Sequence, residues 1–276
     1  MFEQVDPEGL AKALNAWLDN AERCGGRNVN IDGKTICGSK NADHKAYHVV
    51  SAWVGENAIT LEEIMTPEKS NEITAIPELL EMIDVEGDII TIDAMGCQTA
   101  IAAKIIERKA DYVLALKGNQ QNLCEAVSDY FDWIEKDKPK EEKYEMWRSD
   151  TEKCHGRIEK REIICANANW LPQKELWEGL CTIVRCKNIR IIGDTETVAT
   201  RYYISSFDGS AKNFGEIIRG HWSIENHLHW ALDVTFGEDS ARAKKDNSPL
   251  NMNVMRKIAL LRLKQINIAR LRTRPQ

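Results

Sequence analysis

"EGDIITIDAMGCQTAIAAKIIERKADYVLALKGNQ", residues 86–120, decides the fold class. The β-branched run 88–93 reads as a strand, 97–109 as a helix and "DYVLAL" (111–116) as a second strand. A strand, a crossover helix and a strand in so short a span form a βαβ unit, and its two strands run parallel. The first strand ends on Asp93, beside the small residue Ala94, so it delivers a carboxylate with room next to it.

The same form occurs upstream in "VNIDGKTICG" (29–38): apolar residues, then Asp32, then Gly33. Gly33, Lys34 and Thr35 invite a nucleotide-binding P-loop, but that motif needs a glycine five positions before Gly33, where Asn28 stands. Residues 28–32 are moreover the strand itself. The remaining reading is a strand ending at Asp32 that presents its carboxylate. If the two strands are neighbours, Asp32 and Asp93 lie close together, and a divalent cation is the natural partner for two carboxylates at that range.

Around these strands the chain reads as mixed α/β. Residues 7–22 form an amphipathic helix through Leu10, Leu14, Trp17 and Leu18. Strands at 45–55 and 58–65 flank a Gly-Glu-Asn turn, and a helix capped by Ser70 follows. Helix returns at 120–136. After a charged break near residue 138 the chain is strand-like from 143 to 206, then helical over 211–235 and again in a last helix from Leu250. This divides it into a helical lead-in (1–27), a first core segment (28–137), a β-rich insertion (138–207) and a helical completion (208–276).

A third carboxylate, Glu225 in "GHWSIENHLHW", is expected inside a helix among Trp222, Ile224, Leu228 and Trp230. A glutamate buried there needs a partner or a metal. His221 and His229 stand four residues to either side of it, so a zinc site of His221, Glu225 and His229 is geometrically open, although it is not the H-E-x-x-H pattern.

With 43% hydrophobic and 29% charged residues the composition is that of an ordinary globular protein. No stretch approaches the roughly 18 apolar residues of a membrane span. The N-terminus lacks signal-peptide features, so a cytoplasmic protein is expected, nucleoid-associated when bound to DNA, without membrane partners. Eight scattered cysteines with no C-x-x-C pair read as reduced, mostly buried thiols. Cys154, His155 and Cys165 match no standard zinc spacing. The net charge is −6, yet the stretch after residue 240 carries ten basic residues and a single acid, Asp246. That tail suits either a local polyanion contact or a solvated helix face. Its apolar residues Val254, Ile258, Leu261 and Leu263 are expected to pack on the core.

Asp32, Asp93 and Glu225 together carry a resemblance. The chain resembles the DDE transposases of the H-repeat-associated group, through "IDGKTICGS" (31–39), "TIDAMGCQ" (91–98), "DYVLALKGNQ" (111–120), "CHGRIEKRE" (154–162), "RGHWSIENHLHWALDVTFGED" (219–239) and "NVMRKIAL" (253–260). The resemblance covers nearly the whole chain. It implies a ribonuclease H-like core with a β-rich insertion before the glutamate. Asp32, Asp93 and Glu225 become the catalytic and metal-binding acids, with Mg²⁺ as cofactor and Mn²⁺ as substitute. The reaction implied is two-metal phosphodiester hydrolysis and strand transfer, with DNA, both element ends and target, as partner.

Lys117, Asn119, His155, Arg157, Arg219 and His221 are candidate DNA contacts. Related transposases surround the glutamate with Tyr, Arg and Lys, where this chain has Ile218, His221 and Leu232. Members of the group also carry a front domain, which the short lead-in suggests is truncated here. A decayed DNA-binding remnant and a nuclease without strand transfer are the alternatives. Whether the active unit is a homodimer stays open.

Overall fold

The computed structural model describes residues 2–18, 25–42, 45–66, 71–137, 139, 143–154 and 156–272. In chain order these give α1 (Pro7–Leu18), β1 (Asn28–Thr35), β2 (His48–Val54), β3 (Ile59–Thr66), α2 (Glu72–Met82), β4 (Ile89–Ile92), α3 (Thr99–Glu107), β5 (Asp111–Leu116) and α4 (Gln121–Asp137). Then follow β6 (Tyr144–Arg148), β7 (Glu152–Cys154), β8 (Arg157–Asn167), β9 (Thr182–Ile192), β10 (Thr195–Ser205), α5 (Ala211–Ser223), two π-helical stretches (Ile224–His229 and Ala231–Thr235) and α6 (Ser248–Arg272). Three strands, a helix, then strand, helix and strand open a mixed α/β fold. No described helix is long and apolar enough to cross a membrane.

The chain forms two compact units, one of residues 1–84 with 220–276 and one of residues 85–219. In the first, β1, β2 and β3 form an antiparallel meander. The turn between β2 and β3 spans residues 55–58, as the Gly-Glu-Asn punctuation predicts. Successive residues of a strand face opposite sides. On one side Trp53 packs with Ile224, Leu228 and Leu232, so the π-helical stretches cover that face. Helix α2 packs against β2 and β3. Its predicted cap, Ser70, lies outside the described residues; the cap position is Asn71, without a side-chain capping bond. In α1, the side chains of Leu14, Trp17 and Leu18 are likewise outside the described set.

In the second unit β4 and β5 run parallel with Thr91 beside Val113, as the βαβ reading requires. β10 then pairs antiparallel with β5, and β9, β8 and β6 continue outward, with β7 on β8. One face is closed by α5, whose Phe214, Ile217 and Ile218 meet Ile163, Val184, Cys186 and Tyr203. Helix α4 is tied to the sheet by Arg185, which is 1% exposed, donates to the Phe131 carbonyl at 3.2 Å and reaches Glu135 at 2.9 Å.

Three expectations change. Strand β1 does not stop at Asp32 but runs on through Thr35, because Gly33, Lys34 and Thr35 keep pairing with Val50, Val49 and His48. The helix over 211–235 is α-helical only to Ser223 and π-helical beyond. On α6, Val254 and Leu261 are buried as predicted, but Leu263 is 51% exposed.

Candidate active site

In the first unit Asp32 sits mid-strand, opposite Ser51. Alternation gives Asn30, Asp32 and Lys34 one face of β1, and Ile31, Gly33 and Thr35 the other. On the Gly33 face, buried His48 binds Glu72 through Nε2 (2.5 Å) and Thr35 through Nδ1 (2.9 Å). A side chain at 33 would run into both Glu72 and His48. Glycine is therefore required by a close approach on the side away from Asp32, not by a phosphate loop.

Lys34 is no phosphate ligand either. It is 8% exposed, with Nζ 2.6 Å from Asp233 and 3.0 Å from Glu238. Burial opposes its charge, yet the two carboxylates more than compensate and raise its pKa. Glu238 is itself fully buried and also binds Asn253 (2.9 Å) and Arg256 (3.3 Å). This network fastens the end of the π-helical region and α6 to the strand that carries Asp32.

His229, in the first π-helical stretch, is turned into the sheet with Nδ1 3.6 Å from Asp32 Oδ2. Burial, together with nearby Lys257, Lys34, His48 and His221, pushes its pKa down to about 3. It therefore meets Asp32 as a neutral imidazole, and the contact is not an ion pair. Glu225 lies one helical turn earlier and is exposed, against the expectation of a glutamate buried among apolar groups. The tryptophan beyond it, Trp230, is 57% exposed, while Ile224 and Leu228 take the buried side. His221 is half-buried on α5. The zinc reading of His221, Glu225 and His229 thus fails, because His229 points to Asp32 while Glu225 faces outward.

In the second unit Asp93 immediately follows β4. Its Oδ1 accepts the backbone N–H groups of Met95 (3.0 Å) and Gly96 (3.4 Å), which fixes the carboxylate across a tight turn. Asn119 and Gln120 hold that turn from the start of the β5–α4 junction. Asn119 donates to the carbonyls of Ala94 (2.6 Å) and Cys97 (3.5 Å), and Gln120 donates to Cys97 (3.0 Å). Asn119 is a candidate DNA contact, and its amide nitrogen donates to this turn. Lys117 is exposed.

Two other candidates, Arg157 and Arg219, are engaged in ion pairs. Arg157 pairs with Glu159 at 2.9 Å, and Arg219 grips Glu152 with both guanidinium nitrogens. His155 lies outside the described residues, as does the Cys154 side chain. In the basic tail, Arg256 and Lys257 are buried; Lys257 binds Ser51 at 3.0 Å and also Glu63, so neither reaches solvent polyanions.

Sequence reading missed the neighbourhood of Asp32 and His229, having matched His229 to Glu225, and it missed Gln120 and the Lys34 network. The signals were present in "GED" (237–239) and in the Asn-Gln pair, but neither has a spacing that announces its partner.

The donors suit a hard cation. In the second unit Asp93 offers a carboxylate, whereas burial, then Asp93 and Cys124, push the nearby Cys97 thiol up to about 12, so no Cys97 thiolate competes there. Among the described residues no group of three His, Cys, Asp or Glu side chains is arranged as a cage for a metal ion. Mg²⁺ does not need one: it binds one or two carboxylates and fills its shell with water and substrate phosphate.

A family profile described as "Transposase DDE domain" matches residues 25–262. The chain is 40% identical over 268 residues to the Escherichia coli O157:H7 protein named "Putative transposase YncI", covering 94% of this chain and 68% of that one. It is 39% identical over 265 residues to "H repeat-associated putative transposase YhhI" of Escherichia coli K12, covering 93% and 69%. A piggyBac transposase synaptic complex with hairpin DNA aligns at a TM-score of 0.42 and 9% identity, over 87% of this chain and 51% of that one.

Proposed function

Because the chain belongs to the transposase DDE-domain family, we propose that it hydrolyses and transfers DNA phosphodiester bonds at insertion-sequence ends, using Asp32, Asp93 and Glu225. The observation that carries this reading is the state of Asp93. One carboxylate oxygen is fixed by two backbone N–H groups. The other accepts no hydrogen bond among the described residues, and Asn119 and Gln120 stiffen the turn beneath it. A side chain held this way is prepared to present one oxygen to a cation without reorganising.

Bound Mg²⁺, or Mn²⁺ in its place, supplies activation of the attacking oxygen and charge stabilisation for the leaving 3′ oxygen. The rest falls to the chain. Asp32 offers a hard ligand from a rigid central strand position, and neutral His229 beside it adds no competing positive charge. Glu225, exposed on its π-helical stretch, is accessible to a ligand from solvent. π-Helical turns are frequent at functional sites because they displace a side chain from its α-helical direction. Lys34 and Lys257 are held by Asp233, Glu238 and Glu63, which keeps these buried cations in fixed places.

The test is nicking of supercoiled plasmid DNA in Mg²⁺ and Mn²⁺, with Asp32→Asn, Asp93→Asn and Glu225→Gln as variants. Each substitution is expected to lower the rate by at least about a hundredfold, in line with loss of a group acting on transition-state charge. Duplexes with a free 3′-hydroxyl then separate strand transfer from simple cleavage. Cleavage that survives in all three variants would remove these acids from the chemistry.

A further inference from the structure

We propose that the outer part of the β8–β9 arm is a binding face for the phosphate backbone of duplex DNA. This rests on the family reading above but concerns a face that none of the three acids belongs to. Residues directly opposite in a sheet share a face. Glu159 stands opposite Arg190 on one side and Glu152 on the other, so Arg157, Glu159 and Arg161 of β8 share a face with Arg190 of β9 and Glu152 of β7.

Arg219, toward the end of α5, joins them through its grip on Glu152. Two like charges facing each other across strands are unfavourable. Here the guanidinium groups stitch them together. Glu159 lies 2.9 Å from Arg157, 3.5 Å from Arg161 and 3.6 Å from Arg190, and Glu152 lies 3.4 Å from Arg161.

Four arginines thus share two carboxylates, leaving a local excess of positive charge on a chain whose net charge is −6. The cations on this face are arginines, whose planar forks match phosphate oxygens in pairs. The side chains of Arg157, Arg190 and Arg219 are 39%, 48% and 56% exposed, so they can turn from carboxylate to phosphate without unfolding the arm. Exposed ion pairs of this kind are weak, and a polyanion can displace them. The face therefore fits a duplex backbone read by charge, in which Glu152 and Glu159 hold the arginines in place until DNA arrives.

The experiment is fluorescence anisotropy of a labelled random-sequence duplex with the full chain over a range of salt concentrations. Each phosphate contact contributes about 0.9 to the slope of log affinity against log salt. Arg157→Gln combined with Arg190→Gln is expected to lower that slope by about 1.8. Glu159→Gln should act oppositely, tightening binding and steepening the slope, an outcome that damage to the fold would not produce. Wild-type slope in the double variant, or weaker binding in Glu159→Gln, overturns the proposal and leaves the arm an internal ion ladder, with the transposase reading intact. Absence of salt-sensitive duplex binding by the unaltered chain overturns both.

Discussion

Gly33 illustrates how a single position can be misread. In sequence it is the glycine of a Gly-Lys-Thr run; in space it is the gap that admits the His48–Glu72 pair. Gly33→Ala is expected to destabilise the protein by about 1–3 kcal/mol, as overpacking does, and to lower its melting temperature in a calorimetric scan. Lys34 gives the companion case. Lys34→Met leaves Asp233 and fully buried Glu238 without their shared cation, and the loss should be about 3 kcal/mol by denaturant titration. Asp32 and Asp93 stand out in the sequence because an aspartate after an apolar run is a local pattern. The partners of Gly33 and Lys34 do not, since they lie 15 to 204 residues away in the chain and only the fold brings them close.

Elements were read more reliably than their details. The βαβ unit, the hairpin and the helices all appear near their predicted places, because apolar periodicity is a direct imprint of one buried face. The π-helical stretches were invisible for the same reason. Over a dozen residues the apolar positions Ile224, Leu228 and Leu232 fit an α-helix and a π-helix almost equally well. Glu225 was consequently placed among apolar neighbours when it faces outward.

At this scale the α5 layer also makes a pH prediction. Burial pushes the thiols of Cys165 and Cys186, packed between sheet and helix, up to about 11 from an ordinary 9. Between those values the unfolded chain loses protons that the folded one retains, so stability falls as pH rises. Stability should hold as pH rises toward 9 and decline between about 9 and 11, by at most about 1.4 kcal/mol per pH unit for each thiol. Cys186→Ala should make that decline shallower in pH-dependent urea titrations; an unchanged decline would assign it to other groups.

For the whole molecule, charge is the property that composition describes least well. A net charge of −6 suggests an indifferent or repelling surface toward DNA. The basic tail offered a remedy in sequence, yet Arg256 and Lys257 are consumed by internal ion pairs. Arg242 and Lys244 of that tail stay exposed, and arginine excess shows as well on the β8–β9 arm, where carboxylates are outnumbered locally. No sum over the sequence distinguishes these two fates, because burial and pairing decide which charges the solvent meets.

The proposed role of Asp93 is to meet, with its fixed carboxylate, a divalent cation that serves phosphodiester chemistry. A Mg²⁺ titration followed by thermal unfolding tests it most directly, comparing the unaltered chain with Asp93→Asn. A cation that binds only the folded state raises stability by about 2.7 kcal/mol at a hundred times its dissociation constant. A concentration-dependent rise in melting temperature is expected for the unaltered chain, and little or none for Asp93→Asn. An equal rise in both proteins, or none in either, would contradict it.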